Sequence, residues 1–309
     1  MSIYVIILNW NGKEDTLHCL KSLSAVATPH EVVVVDNGST DDSIKAISKA
    51  FPKHHLIATG KNLGYAEGNN VGIRYALEKG AASLLILNND TIVTKDFLEG
   101  FLKRDLPIQG GKGHLMDEPF ILDVIGAYWS YEKGAMGHVG KRDSPDNWKK
   151  PFIIDYVSGA AMFIQREVFE KIGLFDPRFF LNYEEVDFCF RAKKAGFPTT
   201  YCPEAVYFHK KSASFTGGKP HNQYFVYRNR LLWIEKTFPP QEKKKFIKKY
   251  LKDAFQILKK YLEHLVRSPF KKNARELEAL LYCKAILYGT RDYLLRRFGD
   301  GPKWLIKPK

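Results

Sequence analysis

Leu84-Leu85-Ile86-Leu87-Asn88-Asn89-Asp90 is an apolar run of strand length that ends abruptly in two amides and a carboxylate. Such a run indicates a strand buried in a parallel sheet, and open α/β sheets bind ligands at the carboxyl ends of their strands. The Asp90 carboxylate and its amide neighbours would suit a divalent cation that holds a diphosphate, because hard cations prefer oxygen ligands. Taken alone, Asn-Asn-Asp is equally good turn chemistry.

Two earlier runs end in the same kind of polar cluster. Ile3-Tyr4-Val5-Ile6-Ile7-Leu8 leads into Asn9-Trp10-Asn11-Gly12, and Val32-Val33-Val34-Val35 leads into Asp36-Asn37-Gly38-Ser39. Between them, leucines recur at helical spacing. Residues 1–90 therefore predict alternating strands and helices, with the polar clusters collected in a crevice at one edge of a mostly parallel sheet.

The composition is that of a globular chain large enough to bury a sizeable core, with 309 residues, 45% hydrophobic and 27% charged. Its four cysteines are far apart and form no Cys-x-x-Cys pair, which predicts neither a zinc site nor a disulfide framework. Strand-like sequence begins at Ile3 without a basic and apolar leader, and no apolar run approaches the roughly 18 residues of a membrane span. We therefore expect a cytoplasmic protein that does not cross a membrane.

Most of the net charge of +14 lies near the carboxyl terminus. Residues 241–309 hold 19 Lys and Arg against 7 Asp and Glu, whereas residues 1–240 hold 29 against 27. Apolar residues from Phe246 to Leu265 recur at helical spacing with lysines mostly between them, which predicts a basic amphipathic helix. Such a helix can lie on the anionic inner face of a membrane or pack on the rest of the chain, and different faces can do both.

Two other classes of protein fit the sequence poorly. A basic tail is compatible with nucleic-acid binding, but no zinc-finger spacing or RRM-type aromatic signature accompanies it, so no nucleic-acid partner is predicted. Nicotinamide dehydrogenases also have doubly wound sheets, but the first strand here lacks the Gly-x-Gly-x-x-Gly turn that brings a pyrophosphate onto a helix.

The segment from Lys61 to Gly72 combines glycines with amides in front of a helical pattern. Its glycines permit close backbone approach, and Asn62, Asn69 and Asn70 supply hydrogen-bonding groups. The segment could therefore hold a base, a ribose or a phosphate. The alternative is a glycine-rich turn with an amide cap.

Taken in order, these motifs resemble those of the inverting glycosyltransferases of family 2, and the match looks closest to polysaccharide enzymes that include rhamnosyltransferases. It continues through Val157–Ile164, Gly173–Asp176, Asn182–Phe188, Pro203–His209 and Tyr227-Arg228-Asn229. The resemblance implies a GT-A fold, an α/β architecture with a Rossmann-like, mostly parallel sheet flanked by helices. We expect the catalytic domain to span residues 1–238 and a helical extension to span residues 239–309.

The resemblance also implies roles for individual residues. Asp36 and Asn9 would meet the base and ribose of a nucleotide sugar, with a dTDP- or UDP-sugar expected. Asp90 matches the last carboxylate of the family's Asp-x-Asp motif and would bind Mg²⁺ or Mn²⁺, with His209 completing the metal site. Asn88 replaces the first carboxylate, although one Asp and a diphosphate remain a normal Mg²⁺ arrangement. The implied nucleotide-sugar ligands are Asn9, Asn11, Asp36, Asn37, Gly38, Asn62, Gly64, Asn69, Asn88 and Asn89.

Displacement of a nucleoside diphosphate with inversion needs a base that takes the proton of the acceptor hydroxyl. Glu184-Glu185 matches the family's Glu-Asp pair, whose second member is the usual base, so Glu185 is the expected base and Glu184 the alternative. A purely structural alternative places both carboxylates in the first turn of a helix capped by Asn182, with Asp187 paired to Arg191.

Two other segments have open assignments. Residues 210–222 are glycine-rich and basic, as in a loop that closes over a diphosphate, and the alternative is a solvated loop. The aromatic residues of 107–150 could stack on an acceptor sugar or belong to the core. The candidate phosphate contacts are Lys210, Lys211 and Lys219, and the aromatic candidates are Tyr128, Trp129, Tyr131 and Trp148.

The sequence thus predicts an inverting glycosyltransferase of the hexosyltransferase type that moves a sugar, with rhamnose a candidate, onto a glycan or lipid-linked acceptor in polysaccharide synthesis. The alternative is a catalytically silent protein that binds a nucleotide sugar or a glycan. The missing carboxylate at Asn88 keeps this alternative open.

Overall fold

The structure is a computed structural model that describes residues 2–210, 218–267 and 274–305. Two compact units can be distinguished within these residues. Of the described residues, the first unit comprises 2–176 and 185–210, and the second comprises 177–184, 218–267 and 274–305. The domain boundary predicted after residue 238 falls inside the second unit and stays a prediction of domain organisation.

The chain up to His209 contains all the strands that the described residues form. The strands are β1 (Ile3–Asn9), β2 (Glu31–Asp36), β3 (His55–Ala58), β4 (Ser83–Asn88), β5 (Thr91–Val93), β6 (Ile108–Leu115), β7 (Gly126–Ser130), β8 (Ala135–Val139), β9 (Phe152–Ile154), β10 (Tyr156–Val157), β11 (Ala161–Gln165) and β12 (Thr199–His209). The helices of this part are α1 (Lys13–Leu23), α2 (Ser43–Ala50), α3 (Gly64–Glu78), α4 (Phe97–Leu102), α5 (Arg166–Ile172) and α6 (Glu184–Lys194).

In the described part of the chain, nine strands form the central sheet, eight of them in the order β3-β2-β1-β4-β11-β6-β12-β5, with β9 also paired to β12. β1 runs parallel to both β2 and β4, and β2 runs parallel to β3. β6 and β12 are parallel to each other, whereas β11 is antiparallel to β4 and β6. The predicted α/β fold with a mostly parallel sheet is confirmed.

The apolar runs of the sequence form the buried centre of this sheet, because parallel strands covered by helices on both faces need apolar side chains on both sides. The strand register pairs Asn9 with Asp36 and Leu8 with Asn88. The polar residues that end β1, β2 and β4 therefore lie at one edge of the sheet, as the sequence predicted.

Two glycines of α3 are explained by the packing of the helix on the sheet. A Cβ added to Gly72 would lie 2.5 Å from Cγ2 of Ile6, and one added to Gly68 would lie 2.6 Å from Cδ1 of Leu8. These contacts leave no room for a larger residue. The glycines therefore bring the helix close to β1, so that the loop before α3 reaches the polar edge.

Residues 108–139 form β6, β7 and β8, which the weak periodicity of this stretch did not indicate. β7 lies between β10 and β8 in a separate three-stranded sheet. β6 is rich in glycine because bulky side chains lie across it; a Cβ on Gly113 would come 2.6 Å from the hydroxyl oxygen of Tyr207. Glycines therefore replace the alternation of apolar and polar residues that would have predicted a strand here.

The described residues of the second unit are mostly helical, with α7 (Gly218–Thr237), α8 (Pro240–Arg267) and α9 (Ala274–Leu294). Its core includes Tyr224, Phe225, Ala285 and Leu305. The predicted basic amphipathic helix is α8. Residues 218–222, which the sequence analysis assigned to a loop, are the first turn of α7. No helix in the described ranges is both long and apolar enough to span a membrane.

Candidate active site

Buried side-chain hydrogen bonds join the ends of β1 and β2. Asn9 Nδ2 donates to Asp36 Oδ2 at 2.7 Å, and the backbone N–H of Ser39 donates to Asp36 Oδ1 at 2.9 Å. Asn9 Oδ1 accepts a hydrogen bond from Thr16 Oγ1 at 2.8 Å. The structure thus brings Asn9 and Asp36 together in a fixed orientation, and both are almost fully buried.

The loop after β2 fits tightly against the loop that precedes α3. Asn37 Nδ2 donates to Asn62 Oδ1 at 3.1 Å and to the carbonyl oxygen of Gly64 at 3.1 Å. Gly38 has a φ of +76°, and a Cβ there would lie 2.5 Å from the Cα of Lys61. Position 38 therefore requires glycine for both its conformation and its space. These predicted residues form one continuous wall beside Asp36.

Asn11 and Asn69 make local contacts on either side of this wall. Asn11 lies in the left-handed region with a φ of 51°, and its Oδ1 accepts the backbone N–H of Thr40 at 2.7 Å. Asn69 Nδ2 donates to the carbonyl oxygen of Tyr65, one turn earlier in α3, at 2.9 Å. Both amides therefore shape loops and helix ends around the crevice.

The two amides that end β4 have different partners. Asn88 Oδ1 lies 2.8 Å from the hydroxyl group of Tyr65, which also lies 3.0 Å from the carbonyl oxygen of Gly159. Asn89 points the other way, and its Nδ2 donates to Thr16 Oγ1 at 2.9 Å. Asn89 is therefore part of the network behind Asn9, whereas Asn88 is half-buried at the front of the strand.

Asp90 and His209 meet at the sheet edge, and a third residue joins them. His209 Nε2 lies 3.2 Å from Asp90 Oδ1, and His209 Nδ1 lies 2.9 Å from Asp123 Oδ2. β12 and β5 place them together, because their register pairs His209 with Thr91, the residue after Asp90. Asp123 was not predicted, since it follows an ordinary apolar pair and no motif or periodicity marks it.

The charge of His209 is set by competing effects. Burial by itself lowers the pKa of the imidazole, but the Asp123 and Asp90 carboxylates outweigh burial and raise the pKa of His209 to about 9. The ligand-free chain therefore favours an imidazolium that links the two carboxylates near neutral pH.

Asp90 and His209 fit a hard cation that brings further ligands with it. Asp90 offers oxygen, His209 offers Nε2, and Asp123 would hold the proton on Nδ1, as carboxylates behind metal-bound histidines do. Among the residues described, no group of three or more His, Cys, Asp or Glu side chains is placed to hold an ion. The remaining ligands would have to be diphosphate oxygens and water, as is usual for Mg²⁺.

Glu185, the predicted base, lies next to Gly159. A Cβ added to Gly159 would lie 3.6 Å from both Cβ and Cγ of Glu185. Because the Gly159 carbonyl also contacts Tyr65, this glycine lies between the base candidate and the Asn88 end of β4. Glu184 is buried, whereas Glu185 is partly exposed. The exposed part of Glu185 does not include its Oε2 atom, which is buried.

The helix-pairing alternative is correct for Asp187. Arg191 Nε donates to Asp187 Oδ2 at 2.8 Å, and the other nitrogens of Arg191 donate to the carbonyl oxygens of Ile172 and Leu174. Asp187 is therefore a structural residue that orients Arg191, which ties α6 to the end of α5 and to Leu174 after it.

The backbone in front of α6 is unusual. Phe180, Asn182 and Tyr183 have φ values of 61°, 68° and 75°. Left-handed conformations cost non-glycine residues about 1–3 kcal/mol each, and they persist only where the surroundings enforce them. Sequence reasoning had no signal for this, since only Asn among the three favours the conformation.

The lysine and aromatic candidates, whose roles the sequence left open, differ in their contacts and exposure. Lys210 Nζ donates to Asp15 Oδ1 at 2.8 Å, whereas Lys211 and the side chain of Lys219 lie outside the described residues. Of the aromatic candidates, Tyr128 is 44% and Tyr131 57% exposed. Trp129 is buried and Trp148 is half-buried, so the two tyrosines are the most exposed of the aromatic candidates.

Comparisons with known proteins agree with this geometry. Residues 4–106 match the sequence pattern of glycosyl transferase family 2. Over 244 residues the chain is 31% identical to the low-salt glycan biosynthesis hexosyltransferase Agl10 of Haloferax volcanii, covering 76% of each protein. Over 252 residues it is 26% identical to the dTDP-rhamnosyl transferase RfbF of Shigella flexneri, covering 77% of this chain and 82% of the relative.

The fold is also similar to a solved structure, the mannosyltransferase PcManGT from Pyrobaculum calidifontis in complex with GDP-Man and Mn²⁺. The TM-score is 0.54 at 14% identity, and the alignment covers 95% of this chain and 73% of that protein. At this identity, the likeness concerns the fold alone.

Proposed function

We propose that this chain, which belongs to glycosyltransferase family 2, transfers a sugar, with inversion, from a nucleoside diphosphate to a glycan or lipid-linked acceptor. Its GT-A fold and its hexosyltransferase type of activity are those that the sequence predicted. The donor we propose is a dTDP- or UDP-sugar, with rhamnose as the sugar. The observation that carries the proposal is the meeting of Asp90 and His209 at the same strand edge as the Asn9–Asp36 pair.

Each side of this edge suits one part of a nucleotide sugar. The Asn9–Asp36 pair and the wall formed by Asn37, Gly38 and Asn62 present fixed polar groups for a base and ribose. Asp90 and His209 would hold Mg²⁺ or Mn²⁺, which supplies positive charge to a departing diphosphate. Asn88 lies next to them and offers an amide in place of the family's carboxylate.

Glu185 is the residue we assign to the acceptor. Its carboxylate would take the proton from the acceptor hydroxyl, whose oxygen then attacks the anomeric carbon as the bond to the diphosphate oxygen breaks. Gly159 leaves space beside the Glu185 side chain. Glu184 is more deeply buried, so we place it second.

Calorimetric titration of the full chain with UDP, dTDP and GDP, with and without Mn²⁺, tests donor binding. We expect one nucleotide to bind, and to bind more tightly with Mn²⁺. Binding of none of them in either condition would contradict the proposal, because the polar edge would then have no nucleotide to hold.

Glu185→Gln tests catalysis. Turnover with the donor that binds should fall by about 10²- to 10⁴-fold, the usual contribution of a general base, while nucleotide affinity stays within about twofold. Glu78→Gln, at an exposed position of α3, is the matched control and should keep full turnover. Unchanged turnover in Glu185→Gln together with loss in Glu184→Gln would move the role of base to Glu184.

We also propose that α8 touches the inner face of a membrane. One row of its apolar residues is packed: Phe246 contacts the ring of Phe238 at 5.1 Å between centroids, and Tyr250 lies under the Arg230 guanidinium. A second row is exposed to solvent. It consists of Phe255, Leu258, Leu262, Leu265 and Val266.

Lysines border the exposed row. The first half of α8 lines an open groove of about 870 Å³, and its apolar residues in the groove include Ile247, Leu251 and Phe255. The lysines around the groove are Lys243, Lys244, Lys248 and Lys252. Apolar side chains beside lysines are typical of helices that lie in an anionic lipid surface, where each Lys near the surface contributes about 1 kcal/mol.

Flotation with vesicles tests this contact. The chain should bind vesicles of anionic phospholipid and not vesicles of neutral phospholipid, and binding should weaken as salt increases. Phe255→Ser should reduce binding several-fold, whereas Phe120→Ser, which removes an even more exposed phenylalanine from the first unit, should not. Equal loss in both variants, or none in either, would contradict the assignment to α8.

A further inference from the structure

One amide group contacts three carbonyl oxygens of the strained segment before α6. Asn229, on α7, donates through Nδ2 to the carbonyl oxygens of Phe179 at 2.7 Å, Leu181 at 2.8 Å and Asn182 at 2.8 Å. An amide nitrogen has only two hydrogens, so these bonds are shared among three acceptors. The three carbonyls are thereby drawn toward one point, which fixes the path of the chain through its left-handed residues.

Asn229 is itself oriented by its neighbour Arg228. Arg228 Nε donates to Asn229 Oδ1 at 2.9 Å, so the amide cannot turn over without breaking this bond. Arg228 also donates from Nη2 to the carbonyl oxygen of Phe179 at 3.0 Å and from Nη1 to that of Gly299 at 2.7 Å. Both side chains are fully buried, and the guanidinium lies over the rings of Tyr224 and Phe225.

Two further contacts from α7 reach the same segment. Arg230 Nε donates to the hydroxyl group of Tyr183 at 2.7 Å, and Asn182 Nδ2 donates to Asn222 Oδ1 at 3.0 Å. The side chains of both left-handed residues nearest to α6 are therefore held, and the carbonyl oxygen of Asn182 is held as well. Their conformations are over-determined, as strained residues at functional sites usually are.

Glu184 and Glu185 follow Tyr183 directly in the chain, and α6 begins at Glu184. The direction in which the helix starts is set by the φ and ψ angles of the residues before it. We propose that Asn229, held by Arg228, is a positioning residue that fixes this start and thereby the place of the Glu185 carboxylate. The inference rests on the proposed function, because it presumes that Glu185 acts on the acceptor.

Asn229→Ala removes the shared donor and leaves the nucleotide-binding residues untouched. We expect kcat to fall by about 10²-fold, because a displacement of about 1 Å at a reacting group has such an effect, while nucleotide affinity stays within about twofold. Asn147→Ala, at an exposed position in the first unit, is the matched control and should leave both quantities unchanged.

A second substitution separates positioning from general stabilisation. Glycine adopts a φ of +68° without strain, so Asn182→Gly in the Asn229→Ala background should restore part of kcat, on the order of fivefold, even though it also removes the Asn182–Asn222 hydrogen bond. A purely structural role of Asn229 predicts a lower melting temperature, loss of nucleotide binding in parallel with kcat, and no rescue. That pattern would overturn the inference. If Asn229→Ala does not fold, Asn229→Ser, which keeps one donor, serves for the same comparison.

Hydrogen exchange of backbone amides tests the inference separately from the proposed function. In Asn229→Ala, the backbone amides of 179–185 should exchange faster, whereas those of β1 and β4 should not. If the wild-type chain transfers no sugar but this local change is seen, the proposed function fails while the hold on the segment stands. If the wild-type chain is active and Asn229→Ala keeps full kcat, the inference fails while the proposed function stands.

Discussion

The hydroxyl group of Tyr65 lies 2.8 Å from Oδ1 of Asn88, and so links the first turn of α3 to the end of β4. The same hydroxyl lies 3.0 Å from the carbonyl oxygen of Gly159, next to which the Glu185 side chain packs. One phenol thus connects the strand edge proposed for the diphosphate with the glycine that faces the proposed base.

Tyr65→Phe should therefore reduce turnover. Loss of one hydrogen bond costs about 1 kcal/mol, or roughly fivefold in rate if the bond is needed in the transition state. Tyr75→Phe is the matched control, because its hydroxyl contacts His55 Nδ1 at 2.9 Å at the other end of the same helix. Steady-state rates of both variants make the comparison, and equal rates would show that the Tyr65 link is unimportant.

Asn88→Asp should increase the affinity for Mn²⁺. The substitution restores the first carboxylate of the family motif, and added ligand charge raises the affinity of hard cations for oxygen sites. We expect about tenfold tighter Mn²⁺ binding in the presence of the nucleotide, measured by calorimetry. The hydroxyl of Tyr65 can still donate to a carboxylate at this position, so the fold should tolerate the change. Unaltered metal affinity would mean that position 88 does not face the cation.

Asp123→Asn should weaken metal binding without removing a metal ligand. Asp123 Oδ2 lies 2.9 Å from His209 Nδ1, and carboxylates in this position orient the imidazole and increase its basicity. Their loss typically costs 10- to 100-fold in metal affinity. Asp117→Asn, at an exposed position nearby in sequence, should leave the Mn²⁺ titration unchanged. Identical titrations for Asp123→Asn and the wild type would exclude this role.

The site residues that end strands could be predicted from the sequence, whereas those contributed by other parts of the chain could not. Asn9, Asp36 and Asp90 follow apolar runs, and parallel strands place their carboxyl ends at one edge, so their proximity could be predicted. Asp123 could not be predicted, because its position depends on an irregular path between β6 and β7. Its bond to His209 spans 86 residues and leaves no periodic signal.

The helical unit shows the same limit. The spacing of apolar residues predicted α8, but the period alone did not tell which apolar row packs and which stays exposed, since both rows repeat with the helix. The role of Asn229 was equally hidden. Its amide compensates for left-handed residues at Phe180, Asn182 and Tyr183, and two of these three residue types give no indication of such a conformation.

Gly38→Ala should disrupt the nucleotide crevice. Alanine at a φ of +76° is strained by about 1 kcal/mol, and its Cβ would lie 2.5 Å from the Lys61 backbone, so the loop before α3 must move. Gly60→Ala is the control for the conformational cost alone, because Gly60 has a φ of +73° with no atom near its Cβ. Urea unfolding should show a larger loss of stability, and nucleotide titration a larger loss of affinity, for Gly38→Ala than for Gly60→Ala. Equal losses would mean that the close approach at Gly38 is not needed.

Glu204→Gln should destabilise the fold at neutral pH and less so in acid. Arg104 donates to both carboxylate oxygens of Glu204 at 2.7 Å, and this pair lowers the pKa of Glu204 to about 2. A lowered pKa stabilises the folded state above the unfolded-state value of 4.5, and that stabilisation is lost as the pH falls from 4.5 towards 2. Because the pair is partly exposed, we expect about 1–2 kcal/mol at pH 7, discounted for solvent screening. The difference in unfolding free energy between Glu204→Gln and the wild type should therefore shrink at pH 3.

Glu118→Gln, which breaks the more exposed pair with Arg142, should cost less than about 0.5 kcal/mol at either pH. A difference for Glu204→Gln that stays constant between pH 7 and pH 3 would show that the Arg104 pair does not control acid stability.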